Sequence, residues 1–310
     1  MSLLSLIAVF LIEQLQPLNY RRVVEEPLAA WADFIESRFN AGEYRQGVIA
    51  WCLAVLAPVI LVAVAYGLLY SISPILALLL NIGVLYLTMG FRQFSHHYTE
   101  IHLALRLGDL PRARHLLAEW RGRSAGDLGS QEIARRTIET ALAAAHRHVF
   151  GVLLCFVVLP GPCGAVLYRM AAVIKDRWEG KNAAEHNDFS TFSRQVFGII
   201  DWLPLRATAS AFAIVGDFED AVYCWRTQAG QWPDRDLGIV LASGAGALGV
   251  QLGMPLAEGV EGVEVSNRAE LGLGDPADVD FMQSAVGLVW RATVLWMLLL
   301  FLLELASLVG

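Results

Sequence analysis

Four groups of side chains in this sequence have the types and spacing to do chemistry. His96, His97 and Glu100 lie in the run from Phe91 to His102. His96 and Glu100 are four apart and His97 is three from Glu100, so a helix would put them on one face. Such a face can hold a divalent metal or exchange protons. The run is not HExxH and supplies no third ligand, and the plainer reading is an interfacial polar cluster that binds lipid headgroups. In Ala145-His146-Arg147-His148 two imidazoles and a guanidinium can grip a phosphate. The plainer reading there is a helix end whose basic residues meet the macrodipole and lipid phosphates. Asp201 and Arg206 flank Pro204 inside an apolar stretch. Ionisable groups at membrane depth line a polar cavity or path, or else these two form a helix-breaking structural ion pair. The run Lys175–His186, with Lys181, Glu185 and His186, reads as a solvated charged loop.

Other chemistry is excluded by pattern. No Walker A, no GxGxxG in a strand–helix setting and no GxSxG elbow occurs, and Gly244–Gly249 lacks the Lys-Ser/Thr of a phosphate loop. Cys52, Cys155, Cys163 and Cys224 make no CxxC pair, so neither a disulfide framework nor a metal site is expected.

The elements that must position these groups are set by hydrophobicity. Over 310 residues the chain is 56% hydrophobic and 17% charged, with mean hydropathy +0.50, which indicates a polytopic membrane protein. Its net charge of −7 averages an arginine-rich middle against an acidic late segment and does not suit nucleic acid. A span needs roughly 20 apolar residues. Gly47–Tyr70, Pro74–Phe91 and Ser284–Val309 meet or approach that, the first two as a hairpin turned at Ser71–Pro74. Ser2–Ile12 is a short apolar helix with no basic n-region before it, so it is not read as a secretory signal. Residues 16–46 suit an amphipathic interfacial helix.

Residues 92–148 hold nine arginines and no lysine and read as three helices, Gln93–Leu107, Leu110–Trp120 and Ser130–Arg147. Asp109 and Ser130 are the expected N-caps, with Pro111 in a first turn. Val149–Ala172 is broken at Pro160-Gly161-Pro162, so it is either a discontinuous span or a re-entrant hairpin. Gln195–Val215 is a weak span interrupted by Asp201 and Arg206. From Gly216 to Gln283 twelve acids face three arginines, and Gly238–Gly259 shows little helix or strand commitment. Arginine placement puts 92–148 and 169–194 in the cytoplasm if 149–172 enters and returns. The fold class expected is therefore all-α: a polytopic helical bundle of about four to five membrane segments, with 149–172 either discontinuous or re-entrant, and a helical cytoplasmic insert. The segments are 1–46, 47–91, 92–148, 149–215, 216–283 and 284–310.

The central block resembles the membrane family that contains CobD/CbiB and AmpE. The residues that carry the resemblance are Leu103–Arg114, Glu132–Glu139, Gly180-Lys181-Asn182 and Asp201-Trp202-Leu203-Pro204-Leu205-Arg206 with Ala207-Thr208-Ala209. The CobD/CbiB branch includes adenosylcobinamide-phosphate synthases, and AmpE is an inner-membrane protein associated with β-lactamase induction. The synthase branch carries Arg-Asp-Thr-Ser where this chain has Arg123-Ser124-Ala125-Gly126, and paired aspartates where it has Phe197-Gly198. Mg²⁺ favours carboxylates, so those departures weigh against ATP chemistry. Glu13, Glu139, Lys181, Asn182, Asp201 and Arg206 remain as the residual polar set.

The expectation is an AmpE-like signalling or small-ligand-binding protein of a bacterial inner membrane. Its partners would be the bilayer and a small phosphorylated or corrinoid ligand, with an oligomer compatible. The alternative is the synthase itself, joining a corrinoid carboxylate to an aminopropanol-type phosphate with Mg-ATP as cofactor; His96, His97, His146 and His148 would then replace lost carboxylates. A transporter-like use of the broken helix is a third reading. No catalytic residue is assigned.

Overall fold

The computed structural model describes residues 2–15, 20–122, 124–182, 188–253 and 269–309. The chain is all-α. Its helices in order are α1 Ser2–Leu15, α2 Glu26–Phe39, α3 Tyr44–Ile72, α4 Pro74–Thr88, α5 Phe91–Arg106 and α6 Leu110–Arg121. They continue with α7 Ser130–Val158, α8 Cys163–Asn182, α9 Thr191–Val215, α10 Phe218–Thr227, α11 Arg235–Leu248 and α12 Val279–Val309. By length and composition α3, α7, α9 and residues Val279–Ala306 of α12 can each cross a membrane. The chain divides into two compact units, 1–92 with 147–204, and 93–146 with 205–310.

In the first unit the α3–α4 hairpin turns at Ser73, whose hydroxyl accepts from the Ile75 N–H at 3.3 Å and caps a helix that opens on Pro74. The outer face of this hairpin is apolar and exposed, with Leu61 at 71% and Ile72 at 73%, a surface that hydrocarbon covers and water does not. Residues 26–39 form the amphipathic helix expected there, burying Ala32 and Ile35 and exposing Phe34. Trp178 of α8 is fully buried and donates to the Ala32 carbonyl at 3.2 Å, while Arg177 forks onto Asp33 at 3.0 and 2.8 Å.

The break at Pro160-Gly161-Pro162 is a reversal. Gly161 takes φ +62°, which glycine adopts without a Cβ penalty, and α8 returns along the end of α7. The arms touch at glycines: a Cβ on Gly164 would run into the Cys155 carbonyl, and one on Gly151 into the Tyr168 ring. The arm before the turn is longer than expected. The boundary anticipated at His148/Val149 falls inside one helix, because a five-residue π-helical turn at His146–Phe150 carries it onward.

Three further readings are corrected by the structure. Ser130 is the first helical residue of α7 and Gly129 holds the cap position, so Ser130 is not the N-cap. Pro204 sits inside a continuous α9, so the helix-breaking joint is not there; a proline's missing N–H removes one rung without forcing an end. The stretch Gly238–Gly259 is not uncommitted, since it is helical to Leu248, and residues 254–259 lie outside the described ones. Low intrinsic propensity is overridden by close packing. Gly238 faces the Ala229 carbonyl, Gly246 the Asp220 carbonyl, and a Cβ on Gly244 would meet the Leu142 side chain at 2.8 Å. Two helices start alike after a Gly-Asp pair: Asp109 accepts from the Arg112 N–H and Asp217 from the Asp220 N–H, each at 3.1 Å. A parallel pairing of Val250–Gln251 with Asp275–Pro276 and a Leu252–Leu271 bridge close the segment before α12, and Tyr98 ties α5 to the Met282 carbonyl at 2.6 Å.

The α7–α8 contact yields a paired test within one helix. Gly164→Ala should destabilise the chain by about 1–3 kcal/mol through overpacking. Gly180→Ala, with nothing within 4 Å of the added methyl, should be neutral or stabilising by up to about 1 kcal/mol. Thermal unfolding in detergent micelles reads both; equal midpoints for the two variants would reject the close contact.

Candidate functional site

One face of α7 is polar and buried. At about 100° per residue, Glu132, Arg136, Glu139 and His146 fall on one side of the helix. Arg136 is 4% exposed, Glu139 6% and His146 1%, in a helix otherwise apolar enough to span. Glu132 pairs with Arg135 and accepts from Arg136 Nε at 2.7 Å. Glu139 Oε1 accepts from the Gly253 N–H at 2.9 Å, and His146 Nδ1 lies 2.9 Å from Thr208 Oγ1 on α9. Glu139 and His146 are thus brought onto one stripe, seven residues or about two turns apart. Buried acid, imidazole and guanidinium in such a helix can hold a polar ligand group and exchange protons with it.

His96 and His97 at the start of α5 have neighbours of their own. His96 is 69% exposed, with Glu100 3.7 Å away, and the His97 ring stacks on Trp120 at 6.0 Å. Nearby, His102 is held below the usual imidazole range by burial, with Arg106 adding to the shift and Asp280 opposing it. Among the described residues no three of His, Cys, Asp and Glu gather into a metal seat.

His146, Arg147 and His148 do not face one anion. The π-helical turn fans them out: His146 meets Thr208, Arg147 Nη1 donates to Asp176 at 2.7 Å, and His148 accepts from Arg169 at 3.0 Å. Asp201 is 5% exposed and accepts from the buried Tyr168 hydroxyl at 2.8 Å. Arg206 is half-buried on the same helix; five positions are about 140° apart around the axis. Lys181 and Asn182 end α8, but their side chains, with Glu185, His186 and Arg123, lie outside the described residues.

The sequence reading did not single out Tyr20, Tyr168 or Arg169 as site residues, and it took Thr208 only as part of the matching pattern. Arg169 carried a signal, since a cation inside the apolar run 149–172 needs a reason. It also passed over an open polar cleft of about 400 Å³ lined by Tyr223, Gln228, Gln231, Gln251, Glu270 and Gly272. There Gln228 Oε1 accepts from the Gly272 N–H at 2.6 Å and fixes the cleft's rim.

The comparisons with known proteins run through these elements. The chain matches the family described as CobD/Cbib protein over residues 23–289. It is 35% identical to "Cobalamin biosynthesis protein CobD" of Stutzerimonas stutzeri, over 88% of this chain and 89% of that protein. The protein of the same name from Chromobacterium violaceum is 35% identical over 72% and 70% of the two chains, and that from Leptospira interrogans 28% over 76% and 74%. No solved structure matches. With the family match spanning most of its length and the stripe of α7 inside it, the chain is a member of the CobD/Cbib family.

Proposed function

We propose that the chain is a membrane enzyme of cobalamin biosynthesis, the synthase that joins a corrinoid carboxylate to an aminopropanol-type phosphate through an amide. The observation that carries this reading is the near full-length similarity to proteins named for cobalamin biosynthesis, covering 88% of this chain and 89% of the first relative. The AmpE-like signalling reading rested on acids missing from the synthase pattern, at Arg123–Gly126, Ala143–His148 and Phe197-Gly198. The relatives named above are all cobalamin biosynthesis proteins, and none supports it.

Amide formation from a carboxylate requires that one carboxylate oxygen leave and that the amine reach the carbon uncharged. Bound nucleotide with Mg²⁺ would supply the activation. Among the described residues no three of His, Cys, Asp and Glu gather to hold that metal by themselves, and Glu132 is taken up by two arginines and Glu139 by a backbone N–H. What this chain offers is a stripe of positioned polar groups, Glu139 and His146 above all, at the depth where an anionic substrate end would have to be oriented and kept from water. The four long apolar helices support a place in the bacterial inner membrane; with α7 among them, α5 and α6 are the part of the arginine-rich segment left for the cytoplasmic side.

Two measurements test this. Expression in a strain lacking the synthase should restore growth on cobyric acid; a well-expressed chain that fails beside a rescuing control would overturn the reading. Glu139→Ala leaves the buried Gly253 N–H unpaired and should cost about 1–3 kcal/mol. Glu139→Gln keeps a carbonyl acceptor and should cost less than about 1 kcal/mol. Thermal unfolding in micelles ranks the two, and growth rescue by Gln but not Ala would assign Glu139 a positioning role.

A further inference from the structure

Arg169 is a cation buried beside neutral groups. It is 6% exposed on α8. Its Nη1 lies 3.0 Å from His148 Nδ1, and its guanidinium carbon sits 5.0 Å from the centre of the Tyr20 ring. Its Nε is buried and has no hydrogen-bond partner. Among the described residues no carboxylate forms an ion pair with it. A guanidinium removed from water needs a counter-charge, and an aromatic face supplies only a fraction of one.

The neighbours add donors. A guanidinium has no lone pair to offer, so the contact with His148 requires Nδ1 to accept. That leaves the imidazole neutral, with its proton on Nε2. The Tyr20 ring stands edge-on to His148, 6.1 Å between centres. Burial pushes the Tyr20 phenol up to about 12; Arg169 pulls it down, while Glu25 and Glu13 add to the rise. The phenol therefore keeps its proton at neutral pH and can donate it. The cluster presents one fixed positive charge and N–H or O–H groups from three different parts of the chain. A carboxylate matches a single planar fork, whereas a phosphate offers oxygens in several directions.

We propose that Arg169, His148 and Tyr20 form a buried anion site that takes a phosphate monoester or diester group. The inference goes beyond the amide-forming reading and does not depend on it, because a soluble phosphate and a lipid headgroup carry the same chemistry.

The test uses the full chain in neutral-detergent micelles. Inorganic phosphate and phosphoethanolamine are titrated by thermal shift, and co-purified phospholipid is counted by mass spectrometry. The wild type and the control Arg177→Gln should either be stabilised by the soluble phosphates or retain a phospholipid that they fail to displace. The first outcome identifies a soluble ligand and the second a headgroup. Arg169→Met should lose either signal, and Tyr20→Phe, which keeps the ring under the guanidinium, should weaken it about tenfold. Should Arg169→Met not fold, Tyr20→Phe alone decides. No phosphate of either kind on the wild type, or undiminished binding by the variants, would overturn the proposal. Failed growth rescue with intact phosphate binding would strike the synthase reading and leave this one standing.

Discussion

A polar group inside an apolar slab must find its partner within the protein, because hydrocarbon offers none. That requirement organises this molecule around α7. Its buried polar stripe is Glu132, Arg136, Glu139 and His146. Each is met by something specific: arginines one turn on, the Gly253 N–H, and Thr208 of α9. The partners come from sequence positions up to 114 residues away, so the stripe fixes how the second unit closes on itself. In the first unit the same constraint pairs Arg147 with Asp176 and Tyr168 with Asp201.

Small residues let those partners arrive. The helical hairpin at Pro160-Gly161-Pro162 closes because Gly151 and Gly164 admit a tyrosine ring and a carbonyl where a Cβ would collide. α11 buries Gly238 to Ala247 for the same reason, Gly238 and Gly246 resting on backbone of the segment before it and of α10 and Gly244 on the Leu142 side chain. Between helices without a hydrophobic driving force from water, such close backbone approach is the main source of attraction.

The family resemblance and these contacts fall on the same residues. Glu132–Glu139 and Asp201–Thr208, read first as a matching pattern, turn out to supply the buried stripe, its threonine partner and the tyrosine-bound aspartate. The missing acids at Arg123–Gly126 and Phe197-Gly198 pointed away from cobalamin chemistry. The near full-length similarity to cobalamin biosynthesis proteins points back toward it. A motif can lose a carboxylate while the polar scaffold that presents the substrate persists.

Hydrophobic run length and helix-start chemistry were legible in the sequence, because both are local. Twenty apolar residues read the same in any context, and Asp109 or Asp217 caps the chain within three residues of itself. The candidates Glu139, His146, His148 and Asp201 were legible as ionisable groups in the wrong solvent. Their grouping was not. His146, Arg147 and His148 are consecutive in sequence, yet a π-helical turn sends them to three partners, and Arg169 gathers His148 with Tyr20 from 149 residues away. The glycine-rich 238–248 looked structureless, since propensity penalises glycine and only packing rewards it. The sequence by itself determined that the chain carries long apolar segments and that a helix begins after Asp109, though not where α7 starts or how far it runs. Only the tertiary structure decided which buried charge meets which partner, because that depends on side-chain direction and on distances that no linear spacing encodes.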